Sequence, residues 1–179
     1  VIGSGLLVPS ANDQRDNDSW LQSLLPKQTG KTAACNPVET HVIGSVEIAM
    51  QAVVDEAMHQ GLDHYLHDEF ISGDAVKQGK VIGGYLHDAP AGVHVWGGET
   101  TVELPEKPGL GGRNQSMALS LATAIDGTDD LSVLVAGTDG IDGNTRCAGA
   151  IVSGGSMQQA RQMGFDYFQG HFFSKPEIL

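Results

Sequence analysis

Leu131-Ser132-Val133-Leu134-Val135-Ala136, followed at once by Gly137-Thr138-Asp139-Gly140-Ile141-Asp142-Gly143-Asn144-Thr145, is the stretch whose reading decides the fold. Its first half is an almost continuous apolar run between an acidic turn and a Gly-Asp loop, the pattern of a central strand buried on both faces. Upstream, Val46, Ala49, Met50, Val53 and Ala57 recur at helical spacing over 46–60. Ser45 suits the N-cap, Glu47 sits in the first turn where the helix dipole favours an anion, and Gly61 suits the C-terminal stop. Short strands are expected at 41–43, 62–66, 92–96 and 100–104, the last two around a Gly97-Gly98 turn. Helices are expected over 73–79 and 114–125. Strands and helices in alternation predict an α/β fold, a layered sheet with flanking helices.

The composition narrows the function. A length of 179 residues with 40% hydrophobic content suits one domain. Ten basic against 22 acidic residues leave a formal charge of −12, which repels phosphate backbones and anionic lipid, so neither nucleic acid nor membrane is an expected partner. No apolar run approaches the ~20 residues of a membrane span, and the first residues lack a basic-then-apolar leader, so a soluble, cytoplasmic protein is expected. Cys35 and Cys147 are too few for a disulfide framework and read as buried, inert thiols. The polar stretch 9–37, broken by Pro and Gly, reads as a linker in which Trp20, Leu21, Leu24 and Leu25 give a short helical face.

Two segments carry chemistry. Gly109-Leu110-Gly111-Gly112-Arg113-Asn114-Gln115 leads from glycines straight into a helix. Bare peptide N–H groups, a positive helix end and the Arg113 fork together make the grammar of an anion cradle. The plain alternative is a Gly-rich connection between strand and helix. The second segment, 137–145, places Asp139 and Asp142 at the carboxyl end of the most strand-like run, where α/β sheets gather substrate or Mg²⁺. Its spacing does not fit an EF-hand loop. A third feature, Gly97-Gly98-Glu99-Thr100, sets a carboxylate and a hydroxyl at a strand corner.

Other polar groups read as ordinary surface or core. His64 and His67 beside Asp63, Asp68 and Glu69 lack a third clear metal ligand and suit a solvated face. His59, His87 and His94 belong to no motif, Met50, Met58 and Met117 suit core gaps, and Asp126, Asp129 and Asp130 form a charged turn facing water.

The order Gly-Gly-Glu-Thr (97–100), Gly-Gly-Arg-Asn-Gln (111–115), Gly-Thr-Asp-Gly-Ile-Asp-Gly-Asn-Thr (137–145) and Ala-Gly-Ala (148–150) resembles the C-terminal MOFRL domain of two-domain glycerate 2-kinases. The likeness reaches upstream through Val42-Ile43-Gly44-Ser45 to Val1-Ile2-Gly3-Ser4-Gly5 and covers residues 1 to about 163. It implies a fragment of a two-domain enzyme: 1–40 as linker and end of a larger domain, and 41–163 as the MOFRL-like domain. The implied activity is transfer of the γ-phosphoryl of ATP, with Mg²⁺, to the 2-hydroxyl of D-glycerate. The site would lie between this domain and a larger N-terminal domain bearing an essential Lys. Arg113 and Asp139 take the positions important for activity, with Asp139 also the residue for Mg²⁺. Gly111, Gly112, Asn114, Glu99, Thr138, Gly140 and Asp142 would bind substrate or phosphate. Without its larger domain the chain should be weak or inactive, and a homo-oligomer stays open as a partner.

The likeness breaks in four places. Leu6-Leu7 stand where the family has Pro or Pro-Thr, Val46 where members often carry Asn, and the Lys-bearing domain is missing from the chain. The last 16 residues, 164–179, replace a Thr-Gly-Pro-Thr-Gly-Thr-Asn close with a segment rich in Phe and Tyr. That tail resembles the end of EAL-type cyclic-di-GMP phosphodiesterase domains and reads as a fusion scar. Two other readings use the same loops: a non-catalytic anion- or nucleotide-binding or interaction module, and an NAD(P)H-dependent hydroxypyruvate reductase. The reductase is the weaker, since no Gly-x-Gly-x-x-Gly follows a strand.

Overall fold

The computed structural model describes residues 43–164 other than 105, 107 and 108; the expectations for the linker, Cys35, the strand at 41–43 and the EAL-like tail lie outside these, save for Ile43 and Gly164. The described chain runs α1 (Val46–His59), β1 (His64–Leu66), β2 (Ile71–Asp74), α2 (Ala75–Asp88), β3 (Val93–Val95), β4 (Gly98–Thr101), α3 (Arg113–Ala124), β5 (Ser132–Ala136), β6 (Gly149–Ser153) and α4 (Ser156–Gln162).

Local chemistry sets the ends of α1. The Ile48 N–H donates to Ser45 Oγ at 3.2 Å. At the far end Gly61 adopts φ +70°. Its N–H donates to Met58 O and that of Leu62 to Ala57 O, which closes the helix as a Schellman motif. The buried face is turned from the expected one: Val54 and Ala57 are buried while Val53 is exposed, because the helix packs on β1 and β3 through that edge.

A β-α-β unit follows. β1 runs parallel to β3 and β2 parallel to β4, with α2 as the crossover. The expected hairpin at Gly97-Gly98 is therefore corrected. β3 and β4 continue along one line, and each pairs with a strand earlier in the chain rather than with the other. The His67 N–H donates to Val95 O and the Ile71 N–H to Gly97 O, so residues 67–70 bulge opposite Trp96-Gly97.

α2 runs to Asp88 rather than stopping at Gly79. Gly79 and Gly83, one turn apart, are the surface on which α3 lies. A Cβ on Gly79 would stand 2.7 Å from Met117 O, and one on Gly83 would meet Ala124 Cβ. Ser120 Oγ donates to Val76 O at 2.6 Å across the same contact. α3 is thus held between α2 on one side and the antiparallel pair β5–β6 on the other. Leu121 and Ile125 at the centre have no exposed surface, with Ile82, Met117, Val152 and Met157 around them.

β5 shows the expected boundaries but not the expected double burial. Val133 and Val135 face α3, while Leu134 and its ladder partner Ile151 are 67% and 65% exposed. Among the described residues β5 pairs only with β6 and is covered by a helix on one face only. Met117 fills the core as expected and Met58 is exposed. Asp126, Asp129 and Asp130 are exposed, with Asp126 accepting from Arg161 Nη2 at 2.8 Å. No helix among the described residues is long and apolar enough to cross a membrane.

Candidate functional site

Twelve residues, 137–148, connect β5 to β6, and they fold back onto the N-terminus of α3. The Gly137 N–H donates to Ala148 O at 2.8 Å and closes the base of the connection. Within it the Asp142 N–H donates to Cys147 O at 2.7 Å, and Thr145 Oγ1 donates to Asp142 O at 2.7 Å.

α3 begins at Gly112, which has no side chain to cap it. The cap comes from the other loop. Asp142, 1% exposed, accepts the Asn114 N–H at Oδ1 (3.0 Å) and the Gln115 N–H at Oδ2 (2.8 Å). These are the amides that an N-cap normally satisfies, and the carboxylate also answers the positive end of the helix dipole. The two N–H groups that the sequence offers to an external anion are therefore donated to the protein's own carboxylate.

The glycines follow from that contact. A Cβ on Gly112 would enter the Asp142 carboxylate and lie 2.5 Å from Gly143 N. Gly143, at φ +57°, presses on Gly111 so closely that a Cβ there would enter the Gly111 carbonyl. Asn144 completes the clamp: its Oδ1 accepts the Gly111 N–H at 2.9 Å and its Nδ2 donates to Gly109 O at 3.1 Å. Gln115 Nε2 donates to Thr145 Oγ1 at 3.3 Å. The sequence motifs give Asn144, Thr145 and Gln115 no role of their own, and the one local hint of the clamp is a helix that starts on a glycine with no capping side chain.

The remaining groups stay accessible. Arg113, the first residue of α3, donates through Nη1 to Glu99 Oε1 at 3.0 Å and to Thr100 O at 3.4 Å, with both charged side chains about half exposed. Asn114 donates through Nδ2 to Ala148 O at 3.3 Å. Asp139 is exposed and accepts the Ile141 N–H at 3.2 Å. A Cβ on Gly137 would stand 2.8 Å from Asp139 Oδ1 and 3.1 Å from Asn114 Nδ2, so the carboxylate and the amide are neighbours across that glycine. Arg113 and Asp139 thus both belong to the N-terminal end of α3, Arg113 by position and Asp139 through its place beside Asn114. Thr138 and Gly140 are exposed beside Asp139, whereas Gly111 and Gly112 are buried. Cys147, expected to be buried, is a free and exposed thiol.

The histidines divide. Among the described residues no group of three or more His, Cys, Asp or Glu is placed to hold a metal. His67 pairs with His94, Nε2 to Nδ1 at 3.1 Å, while His94 Nε2 lies 2.8 Å from Pro90 O and His64 Nδ1 lies 3.4 Å from Leu62 O. Trp96 stacks on His67 with ring centroids 4.0 Å apart and planes at 6°. Partial burial first, and His94 second, hold the His67 pKa below the ordinary histidine value.

Residues 92–171 match the MOFRL family. The chain is 33% identical over 141 residues to the D-glycerate 2-kinase of Thermotoga maritima, covering 74% of this chain and 33% of that protein. It is 36% identical over 139 residues to the glycerate 2-kinase of Pyrococcus horikoshii, covering 72% and 31%. The crystal structure of glycerate kinase from Thermotoga maritima superposes with a TM-score of 0.65 at 29% identity, over 78% of this chain and 35% of that one. The chain spans about a third of the length of the curated relatives it matches. The glycine segments clamped around α3 and the β5–β6 connection lie within the matched span, and the chain carries a MOFRL family domain with the α/β fold of its glycerate kinase relatives.

Proposed function

We propose that this chain supplies one wall of the active site of a glycerate 2-kinase, in which the terminal phosphoryl group of ATP passes to the 2-hydroxyl of D-glycerate. The bond between the γ-phosphorus and the β–γ bridging oxygen breaks, and ADP keeps the electron pair. A new P–O bond forms to the substrate 2-oxygen, whose proton is released to solvent. Such transfers depend on positioning and on cationic stabilisation of the equatorial oxygens. Arg113 provides the guanidinium, and Asp139 orients the hydroxyl. Asp139 would also be this chain's carboxylate toward Mg²⁺, an ion that is commonly held by one or two carboxylates together with substrate phosphates. When bound, the ion would neutralise charge on the phosphates. Glu99 holds Arg113 in place until an anion competes for it, and Asn114 lines the floor between Arg113 and Asp139.

The observation that supports the reading is that an accessible guanidinium, on the residue before Asn114, and an accessible carboxylate, beside the Asn114 amide, stand near one end of α3, in a segment whose relatives are named glycerate 2-kinases. The larger N-terminal domain would complete the site in the cytoplasm, so the chain alone is expected to turn over weakly or not at all. Purified chain incubated with D-glycerate and Mg-ATP tests that point, and ADP release at ordinary kinase rates would contradict the half-site view. Titration calorimetry with Mg-ATP tests the rest. Affinity should fall at least about tenfold in Arg113→Ala, in line with the loss of a charge-assisted hydrogen bond. Equal affinity of the two proteins would overturn the assignment of Arg113.

A further inference from the structure

We infer that Asp142 is a positioning residue, which ties the Asp139-bearing loop to the Arg113-bearing helix by capping α3 in trans, and that it does not itself touch substrate or metal. Its functional consequence rests on the kinase reading above, whereas the tie itself does not. Asp142 is 1% exposed, and both carboxylate oxygens are spent on the Asn114 and Gln115 amides, so no ligand reaches them. The helix has no cap of its own at Gly112. Three residues before Asp142 in the loop stands Asp139, and one residue before Asn114 in the helix stands Arg113. The carboxylate bridge therefore fixes the spacing between the two groups that the reaction needs. Asn144, through Gly111 and Gly109, adds a second strap from the same loop. Catalytic groups must be held within a fraction of an ångström by their supporting residues, and a carboxylate bonded to two helix amides is a stiff support.

The geometry offers a test that separates the tie from simple helix stabilisation. Gly112 has φ −154° and ψ −167°, an extended backbone that a capping serine adopts without strain. In the native chain its side chain would collide with Asp142. In a Gly112→Ser/Asp142→Gly double variant the helix is capped in cis, and the loop, released from its carboxylate, moves away from the remaining contact at Gly143. Melting temperature, amide hydrogen exchange and Mg-ATP affinity are then compared for the native chain, Asp142→Asn, Asp142→Gly and the double variant.

Asp142→Gly should melt lower and lose protection at the Asn114, Gln115 and Gly111 amides. Asp142→Asn, which keeps one acceptor, should stay folded and lose part of the same protection. The double variant should regain melting temperature and protection at residues 114 and 115. Its Gly111 amide, which reports the strap to Asn144, should stay unprotected, and its Mg-ATP affinity should remain at least tenfold down. Recovery of Gly111 protection and affinity along with stability would reduce Asp142 to a helix cap and overturn the proposal. Unchanged exchange at residues 114 and 115 in both single variants would overturn it as well. Failure of the native chain to bind Mg-ATP would count against the nucleotide reading, and the exchange pattern would still decide the tie.

Discussion

Two successive segments of the β5–β6 connection share residue types and differ in physical situation. Gly137-Thr138-Asp139-Gly140-Ile141 combines one aspartate with two glycines, and Asp142-Gly143-Asn144-Thr145 one aspartate with one glycine. The first segment lies open, with Asp139 exposed and nothing within 4 Å of a Cβ placed on Gly140. The second segment is bound to the rest of the domain: the buried Asp142 caps a helix, Gly143 lies against Gly111, and Asn144 clamps the loop before α3. A glycine-rich, acidic loop is thus part scaffold and part open surface, and residue type alone does not mark the division.

The sharpest way to break this contrast is to remove each carboxylate in turn. Asp142→Ala leaves two helix amides without partners in a buried place. It should cost about 2–4 kcal/mol, the sum expected for a lost cap and charge-assisted hydrogen bonds to a buried carboxylate. Asp139→Ala removes an exposed group with one local bond and should stay within about 0.5 kcal/mol of the native stability, while abolishing the transfer reaction in the complete enzyme. Urea unfolding followed by tryptophan fluorescence gives both numbers. Equal losses would erase the division between the segments.

The glycines give a finer version of the same comparison. Gly140 and Gly143 both adopt a left-handed backbone, at φ +79° and +57°. Alanine at Gly140 meets only the conformational penalty, about 1–2 kcal/mol, whereas at Gly143 it also collides with the Gly111 carbonyl. Gly143→Ala should therefore unfold at lower urea than Gly140→Ala, and the reverse order would show that the 109–112 segment yields easily. Arg113→Ala should be milder still. An ion pair as exposed as Arg113–Glu99 is worth about 0–1 kcal/mol, so the variant should keep its unfolding midpoint while losing Mg-ATP affinity.

Much of the architecture was legible in the sequence because it is written locally. Ser45, the 3.6-residue pattern and Gly61 mark α1 to within a residue, and α3 starts one residue before the expected Asn114. What was not legible depends on partners distant in the chain. The Gly97-Gly98 pair reads as a hairpin because a turn and an interruption between two parallel pairings share the same residues, and only contact with β1 and β2 tells them apart. The length of α2 was cut at Gly79 because a helical glycine looks like a stop until α3 is seen lying on it. The site divides in the same way. Arg113, Asp139 and Glu99 stand out by type, but the capping role of Asp142 spans 28 residues of sequence to Asn114 and leaves only an indirect sign, a helix opening on an uncapped glycine.

The smallest expected effect lies outside the loop and serves as its control. His67 has a pKa below the ordinary value of 6.5, so the unfolded chain takes up a proton at a higher pH than the folded one does. The stability tied to its neutral form is present above about pH 6.5 and is lost as pH falls through the lowered folded value. Partial burial, which penalises the charged imidazolium, is the main cause of the resistance, and His94, 3.1 Å away across the Nε2–Nδ1 contact, adds to it. Unfolding midpoints measured from pH 8 to pH 5 should therefore decline slightly in the native chain and decline less in His67→Gln. Amide exchange should trace the loss to β1 and β3, with the Asn114 and Gln115 amides protected to lower pH. Loss of protection at α3 first would place the acid-sensitive point in the Asp142 contact instead, and the segment bound to α3 would then be the weaker of the two.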